Sequence, residues 1–505
     1  MRTVFQRLPL LCSLLAALAA HLSAADDTRV VDAMRRQDAR ALQSLIAARA
    51  DVNVAQPDGA TALHWAAYWD DLAAAQLLVR AGARVNAANE NDITPLSLAC
   101  TNASPRMVAL LVEAGADVNA AQGTGETPLM TCARTGSVEA VNPLLDRGAN
   151  VNAKENSQQQ TALMWAVAGR HLEVARTLLA RGADIRARSK VRATGRSRSA
   201  SVAPTAVSIA TGGSGGFTPL LFAARAGDRA LLGLLLDRGA SVNETAADGS
   251  TALIVATLRG HADAAVFLLD RGADANAIGP GYTALHWAAG SWETQLTGPF
   301  GIDSDRYDEW DAMRGLKRPE KIALIKALLA HRADPNARLE REPPRFGYAN
   351  LRFHVSLAGA TPFLIAARAA DVEVMKILAA GGADTSLPTK LRTTPLMVAA
   401  GIGRVPNESF VTDSNTLEAV KLALELGGDI NAADEIGDTA LHGAAHIRSE
   451  AVIRFLLEKG ARVEAKNSRG LTPLMIAEGA GNSDNPGLDS GGRAAALLRE
   501  SSRKP

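Results

Sequence analysis

Few residues in this chain have the type and spacing that chemistry needs. His442 and His446 stand four apart, which puts both on one helix face where two imidazoles could share a metal. No Glu or third ligand accompanies them, so they read as structural. Gly212, Ser214 and Gly216 match G-x-S-x-G. A nucleophile elbow needs a strand before its serine and a helix after it, and these flanks read as linker. Asp303, Asp305, Asp308, Glu309 and Asp311 partly resemble a calcium loop, but Tyr307 and Asp308 stand where an acidic ligand and a glycine are wanted. Cys100 and Cys132 fall on neighbouring helical segments, one register position apart. Packed helices lie about 8–10 Å apart, and a disulfide needs Cα atoms within about 7 Å. Both cysteines are therefore expected as buried apolar residues without a disulfide. No P-loop, dinucleotide fingerprint, paired-cysteine zinc motif or hydrolase triad is found. The expectation is a chain that is not an enzyme, with no catalytic residue, no cofactor and no metal.

The elements that would position any site repeat. The phrase T-(P/A)-L-x-x-A recurs at Thr61, Thr94, Thr127, Thr161, Thr218, Thr251, Thr283, Thr361, Thr394, Thr439 and Thr472. The intervals are 33, 33, 34, 57, 33, 32, 78, 33, 45 and 33 residues. A period near 33 marks a solenoid whose units bury their apolar faces against neighbours. Thr, often followed by Pro, starts a helix. About 20 residues later an apolar run ends in Gly-Ala, as at Leu77-Leu78-Val79-Arg80-Ala81-Gly82-Ala83, a helix closed by a left-handed glycine. Ala-Asp-Val-Asn then favours a turn and a short hairpin.

Thr61-Ala62-Leu63-His64-Trp65-Ala66-Ala67 and Gly82-Ala83-Arg84-Val85-Asn86 resemble the ankyrin repeat. The resemblance covers nearly all of residues 28–499. It implies an all-α solenoid of about 12 helix-turn-helix units, with β-hairpin fingers and a concave groove lined by the first helices. It also implies a protein-binding scaffold without catalytic activity. His64, His286 and His442 occupy the position the family uses for structural hydrogen bonds. Gly82, Gly115, Gly148, Gly182, Gly239, Gly272 and Gly460 occupy the capping position. Trp65, Trp165 and Trp287 read as groove or core packing. The first unit, near 30–54, lacks the threonine phrase.

Four insertions depart from the period. Residues 188–216 form a basic Gly/Ser-rich loop between repeat blocks 26–187 and 217–505; Arg192, Arg196 and Arg198 belong to it. It reads either as a solvated linker or as an arm for an anionic partner. Residues 290–319 carry Trp292 and Trp310, 338–359 carry Arg341, Arg345, Phe346, Tyr348 and Arg352, and 401–415 form the fourth. Aromatic and Arg side chains anchor interfaces, so these ten residues are the candidate partner-binding set. The alternative is that the rings fold back on the solenoid. The expected site is the finger edge around the units at Thr218, Thr251 and Thr283. Two positions strain a unit: Arg332 where a capping glycine is expected, and Pro143 inside a helix.

Arg2 and Arg7, the apolar stretch 8–20 and Ser23-Ala24-Ala25 have the pattern of a signal peptide over 1–25. Export to a periplasmic or extracellular space is expected, with no transmembrane segment in the mature chain. The 54 basic and 53 acidic residues become 52 and 53 without Arg2 and Arg7. That near-neutral balance gives no reason to expect nucleic acid. A protein partner is expected, with an anionic envelope polymer as the alternative.

Overall fold

A computed structural model describes residues 27–192, 214–290, 316–341, 356–404, 411–480 and 492–503. Among them are 24 helices, which form 12 consecutive pairs. The chain divides into two compact units, Met1–Lys190 with Asp237–Gly239, and Val191–Leu236 with Ala240–Pro505. Within each unit, the first helix of a repeat packs on the first helix of the next, and second helices do likewise.

The repeat that starts at Thr61 shows why this sequence folds so. Helix Ala62–Tyr68 is short, and its Leu63, Ala66 and Ala67 are fully buried. Asp71 caps the second helix, Leu72–Arg80, by accepting a bond from Ala74 N at 2.9 Å. Alanine on the touching faces allows close approach, and leucine supplies the apolar area. The first pair begins earlier than the threonine phrase suggests: Thr28 stands at the N-cap of Arg29–Arg35. It was hidden because Arg-Val-Val replaces the usual Pro-Leu.

The second helices end as expected. Gly82, Gly115, Gly148, Gly182, Gly239, Gly272 and Gly460 all have φ between 81° and 94°. Arg332 adopts the same conformation at φ 63°, and Arg49 does so in the first repeat at φ 58°. Pro143 lies within helix Val138–Asp146, which keeps the nine-residue length of its neighbours. Its missing N–H removes one bond without ending the helix.

Insertions between the two helices of a repeat reshape both. Helices Ala284–Ala289 and Pro395–Ala399 are shortened, whereas Arg318–Ala330 and Asp413–Glu425 reach 13 residues. Of the basic loop, only its two ends are described, and they pair. Strand β1 (Val191–Arg192) pairs antiparallel with β2 (Ser214–Gly215), Val191 opposite Gly215 and Arg192 opposite Ser214.

The cysteine expectation is overturned. Cys100 and Cys132 form a disulfide, with Cα atoms 4.6 Å apart. The 8–10 Å spacing applies to helix axes, whereas Cα atoms on facing surfaces are each about 2.3 Å nearer the partner. Alanine-lined first helices then bring the two Cα atoms within bonding range.

Arg332→Gly should raise the stability of its repeat by about 1 kcal/mol, because the left-handed backbone costs a side chain about that much. Local hydrogen-exchange protection of Arg318–Ala330 reads this. Unchanged or weakened protection would mean that contacts of the arginine outweigh the backbone strain.

Candidate functional site

Two kinds of bond assemble the surface that repeats present. The first is an asparagine bridge. Asp117 Oδ1 accepts from Asn119 N at 2.9 Å and sets the turn. Asn119 Nδ2 then donates to Gly148 O at 3.3 Å, and its Oδ1 accepts from Asn150 N at 2.8 Å, both in the next repeat. Asn53, Asn86, Asn152, Asn276, Asn336 and Asn431 make the same double bridge. In the sequence these asparagines signal only turns. Their recurrence just after the Gly-Ala cap was the available sign of a wider role. The second is a backbone bond between successive fingertips, as from Glu90 N to Asp58 O at 2.8 Å and from Lys390 N to Ala358 O at 2.8 Å.

The histidines close first helices onto the next finger. His286 Nδ1 accepts from Thr283 N at 3.2 Å, while His286 N donates to Thr283 Oγ1 at 3.2 Å. The far ring nitrogen, Nε2, faces Ala337 O at 3.0 Å and Ala360 O at 3.3 Å. His64 and His442 repeat this arrangement, with Nε2 on Ile93 O and Leu471 O. One nitrogen accepts and the other donates, so each ring is held neutral. Burial pushes the His286 imidazole down to about 4 and lowers His64 and His442 as well. His446 Nε2 donates to Arg404 O at 3.2 Å. The Nε2 atoms of His442 and His446 thus both face carbonyls. Among the described residues no cluster of three metal-ligating side chains occurs.

Charged clusters at the insertions brace neighbouring elements. Lys321 Nζ bonds Gly290 O at 2.9 Å and Asp371 Oδ2 at 3.2 Å, and Arg318 meets Asp371 and Glu373. Burial lowers the Lys321 pKa. Burial raises that of Asp371, but Lys321 and Arg318 outweigh it and hold the carboxyl below its usual value. The buried Arg404 ties the base of the fourth insertion to Thr416 Oγ1 at 2.8 Å and to Arg368 O at 3.3 Å.

Of the sequence-derived partner set, two residues are described. Arg192 is exposed on β1. Arg341 is exposed, and its N–H donates to Gly281 O at 3.0 Å, continuing the fingertip series. Arg196, Arg198, Trp292, Trp310, Arg345, Phe346, Tyr348 and Arg352 lie outside the described residues. The structure gathers a different group in the first unit. Trp65, Tyr68 and Trp69 form an aromatic cluster with ring centroids 5.7, 4.8 and 6.3 Å apart. Tyr68 is 51% exposed and Trp69 42%. The sequence showed aromatic residues at i, i+3 and i+4, but such a pattern fits a core equally well.

A family model for ankyrin repeats, in sets of three copies, matches residues 31–122, 119–189, 210–295 and 409–485. The chain belongs to the ankyrin-repeat family. Such repeats are generally protein–protein interaction modules and typically non-catalytic. Among similar proteins, neurogenic locus notch homolog protein 1 of Xenopus tropicalis is 35% identical over 151 residues, 26% of this chain and 6% of that protein. The human notch homolog 1 is 32% identical over the same shares. Putative ankyrin repeat protein L271 of Acanthamoeba polyphaga mimivirus is 32% identical over 18% of this chain and 11% of its own. These matches span only small parts of the relatives. The solved ankyrin repeat domain of human ASB11 covers 48% of this chain and 96% of its own, at 25% identity and TM-score 0.39.

Protonating His286 in place would destroy its acceptor bond. The folded pKa near 4 lies below the unfolded value of 6.5, so the contribution is complete above pH 6.5 and is lost as pH falls toward 4. The full shift corresponds to about 3 kcal/mol. Denaturation measured between pH 7 and 4 should show this loss, and His286→Gln should flatten it. An equally steep acid loss in His286→Gln would place the titration elsewhere.

Proposed function

We propose that this chain is an exported, non-catalytic scaffold that holds a partner protein in a periplasmic or extracellular space. The observation that carries the export reading is the Cys100–Cys132 disulfide. Disulfides persist in oxidising compartments and are rare where thiol reductants act. The apolar stretch 8–20 after Arg2 and Arg7 supports the same reading. The scaffold reading rests on the repeat architecture, in which chain after chain of side-chain bonds serves to align surfaces. Partner contact runs over the faces of the first helices and the adjoining fingers. Arg192 and Arg341 stand exposed at that finger edge.

A second reading, binding of an anionic envelope polymer, draws on the basic residues of 188–216 and the paired strands at its base. The two readings differ in salt dependence, since exposed charge pairs are screened within about 10 Å at 0.1 M salt.

Three measurements test these proposals. Peptide mapping of the chain isolated from its own envelope fraction, alkylated without reduction, should recover the Cys100–Cys132 cross-link and a new N-terminus near Ala25. The cross-link is absent, and both thiols are alkylated, if the chain resides in a reducing compartment. Cys100→Ala with Cys132→Ala should cost about 2–4 kcal/mol in the unfolding of the first unit. Crosslinked pulldown at low and high salt should retain a protein at both. Charge reversal at Arg341, Arg345 and Arg352 should weaken that capture. Recovery of only anionic polymer, lost with salt, would favour the second reading.

A further inference from the structure

The aromatic cluster of the first unit has an internal counterpart. Trp65 and Trp165 each stand four residues after their repeat threonine, on the same face of the first helix. Arg134, from the preceding repeat, places its guanidinium 5.4 Å over the Trp165 ring. The same arginine faces Glu126 Oε1 at 3.6 Å, so cation, ring and carboxylate form one set. The equivalent arginine before Trp65 is Arg35, seven residues after Thr28. It is turned instead to Asp32, at 3.3 Å. Among the described residues no cation stands over Trp65, Tyr68 or Trp69.

The repeat that carries these rings and the finger that follows it are acidic, whereas the preceding repeat, packed on the same helix, carries Arg29, Arg35, Arg36, Arg40 and Arg49 against Asp32 and Asp38. Residues 50–104 contain Asp51, Asp58, Asp70, Asp71, Glu90 and Asp92 against Arg80 and Arg84, six negative charges to two positive. Asp58, Asp70, Glu90 and Asp92 are exposed. Trp65 Nε1 donates to Gln56 Oε1 at 3.0 Å, which fixes the ring to the finger that carries Asp58. Asn102 Nδ2 bonds Ala67 O and Tyr68 O at 2.9 and 2.8 Å, which holds the end of the helix that carries Tyr68. The rings are thus supported from behind and open in front. Arginine and lysine favour the faces of Trp and Tyr, and a nearby carboxylate completes their recognition.

We infer that Trp65, Tyr68 and Trp69, with Asp70 beside them, are the seat for an arginine- or lysine-bearing peptide segment of the partner protein. The inference rests on the scaffold reading and gives the partner's chemistry. An incoming cation takes over these rings the place that Arg134 takes over Trp165. The neighbouring fingertip carboxylates add charge attraction and orientation. Tyr68 and Trp69 are large, mostly desolvated on binding, and costly to truncate, as interface anchors are.

The full chain is titrated with a labelled peptide alternating arginine and alanine, beside glutamate–alanine and serine–alanine peptides of equal length. Only the arginine peptide should bind, with quenching of tryptophan fluorescence. Tyr68→Ala with Trp69→Ala should weaken it at least about tenfold. Trp69→Phe should retain most of the affinity, and Asp70→Asn should lose less than the double variant, with the loss greatest at low salt. Both ring positions are exposed, so circular dichroism should show the helices intact. Equal binding of the three peptides, or unchanged binding by the double variant, overturns the inference. Self-association abolished by Tyr68→Ala also overturns it, and marks a contact between copies. Envelope capture separates the two readings. A partner captured equally by the double variant leaves the scaffold standing and this seat refuted. Ring-dependent peptide binding without any captured protein does the reverse.

Discussion

Two helices of seven and nine residues cannot hold each other without neighbours, and in most fingers the bridge that brings the neighbours is one asparagine. Its amide donates to the carbonyl of the next helix cap and its oxygen accepts from the next finger, as Asn119 does with Gly148 and Asn150. The bond pair needs the cap carbonyl to point outward, and the left-handed cap residue delivers it. Arg332 in that conformation still offers its carbonyl to Asn276 at 2.9 Å. The geometry therefore outranks the residue type, at the cost of local strain. Where the asparagine position holds Arg186, Ser386 or Glu464, the bridge has no amide of this reach.

Histidine and threonine serve the same end from the other side of the finger. In the repeats at Thr61, Thr283 and Thr439, a neutral ring inserted between a helix start and a carbonyl of the following finger makes the repeat sense its neighbour's position. Ser97 takes the ring's place in the repeat at Thr94, where its hydroxyl meets the Thr94 hydroxyl at 3.1 Å. The replacement keeps the local cap but lacks the long reach of an imidazole. That repeat instead carries Cys100, bonded covalently to the next first helix.

Function on such a scaffold lies in the side chains that alignment leaves unused. His64, Asn102 and Gln56 are all engaged in holding the second and third repeats, and the rings they surround are not covered. The contrast between Trp65 and Trp165 is decided by one arginine. Arg134 closes its tryptophan, whereas Arg35 turns to Asp32. Two repeats with the same helical frame therefore present different surfaces.

The order of the repeats, their approximate number and the starts and caps of the regular ones were legible in the sequence, because caps and apolar spacing are local and recur at each period. The glycine positions followed from a conformation that only one residue adopts without strain. The disulfide was not legible, since it depends on how closely two alanine-lined helices approach, and the periodicity carries no distance. Nor was the asparagine bridge, whose partners stand 29 to 31 residues away from Asn119. The exposed rings lay furthest from sequence reading. Trp65, Tyr68 and Trp69 have the spacing of a buried face, and only the placement of the neighbouring repeats leaves Tyr68 and Trp69 exposed among the described residues. A repeat pattern specifies what each unit is. Coverage depends on pairs of units, and pairs are set in three dimensions.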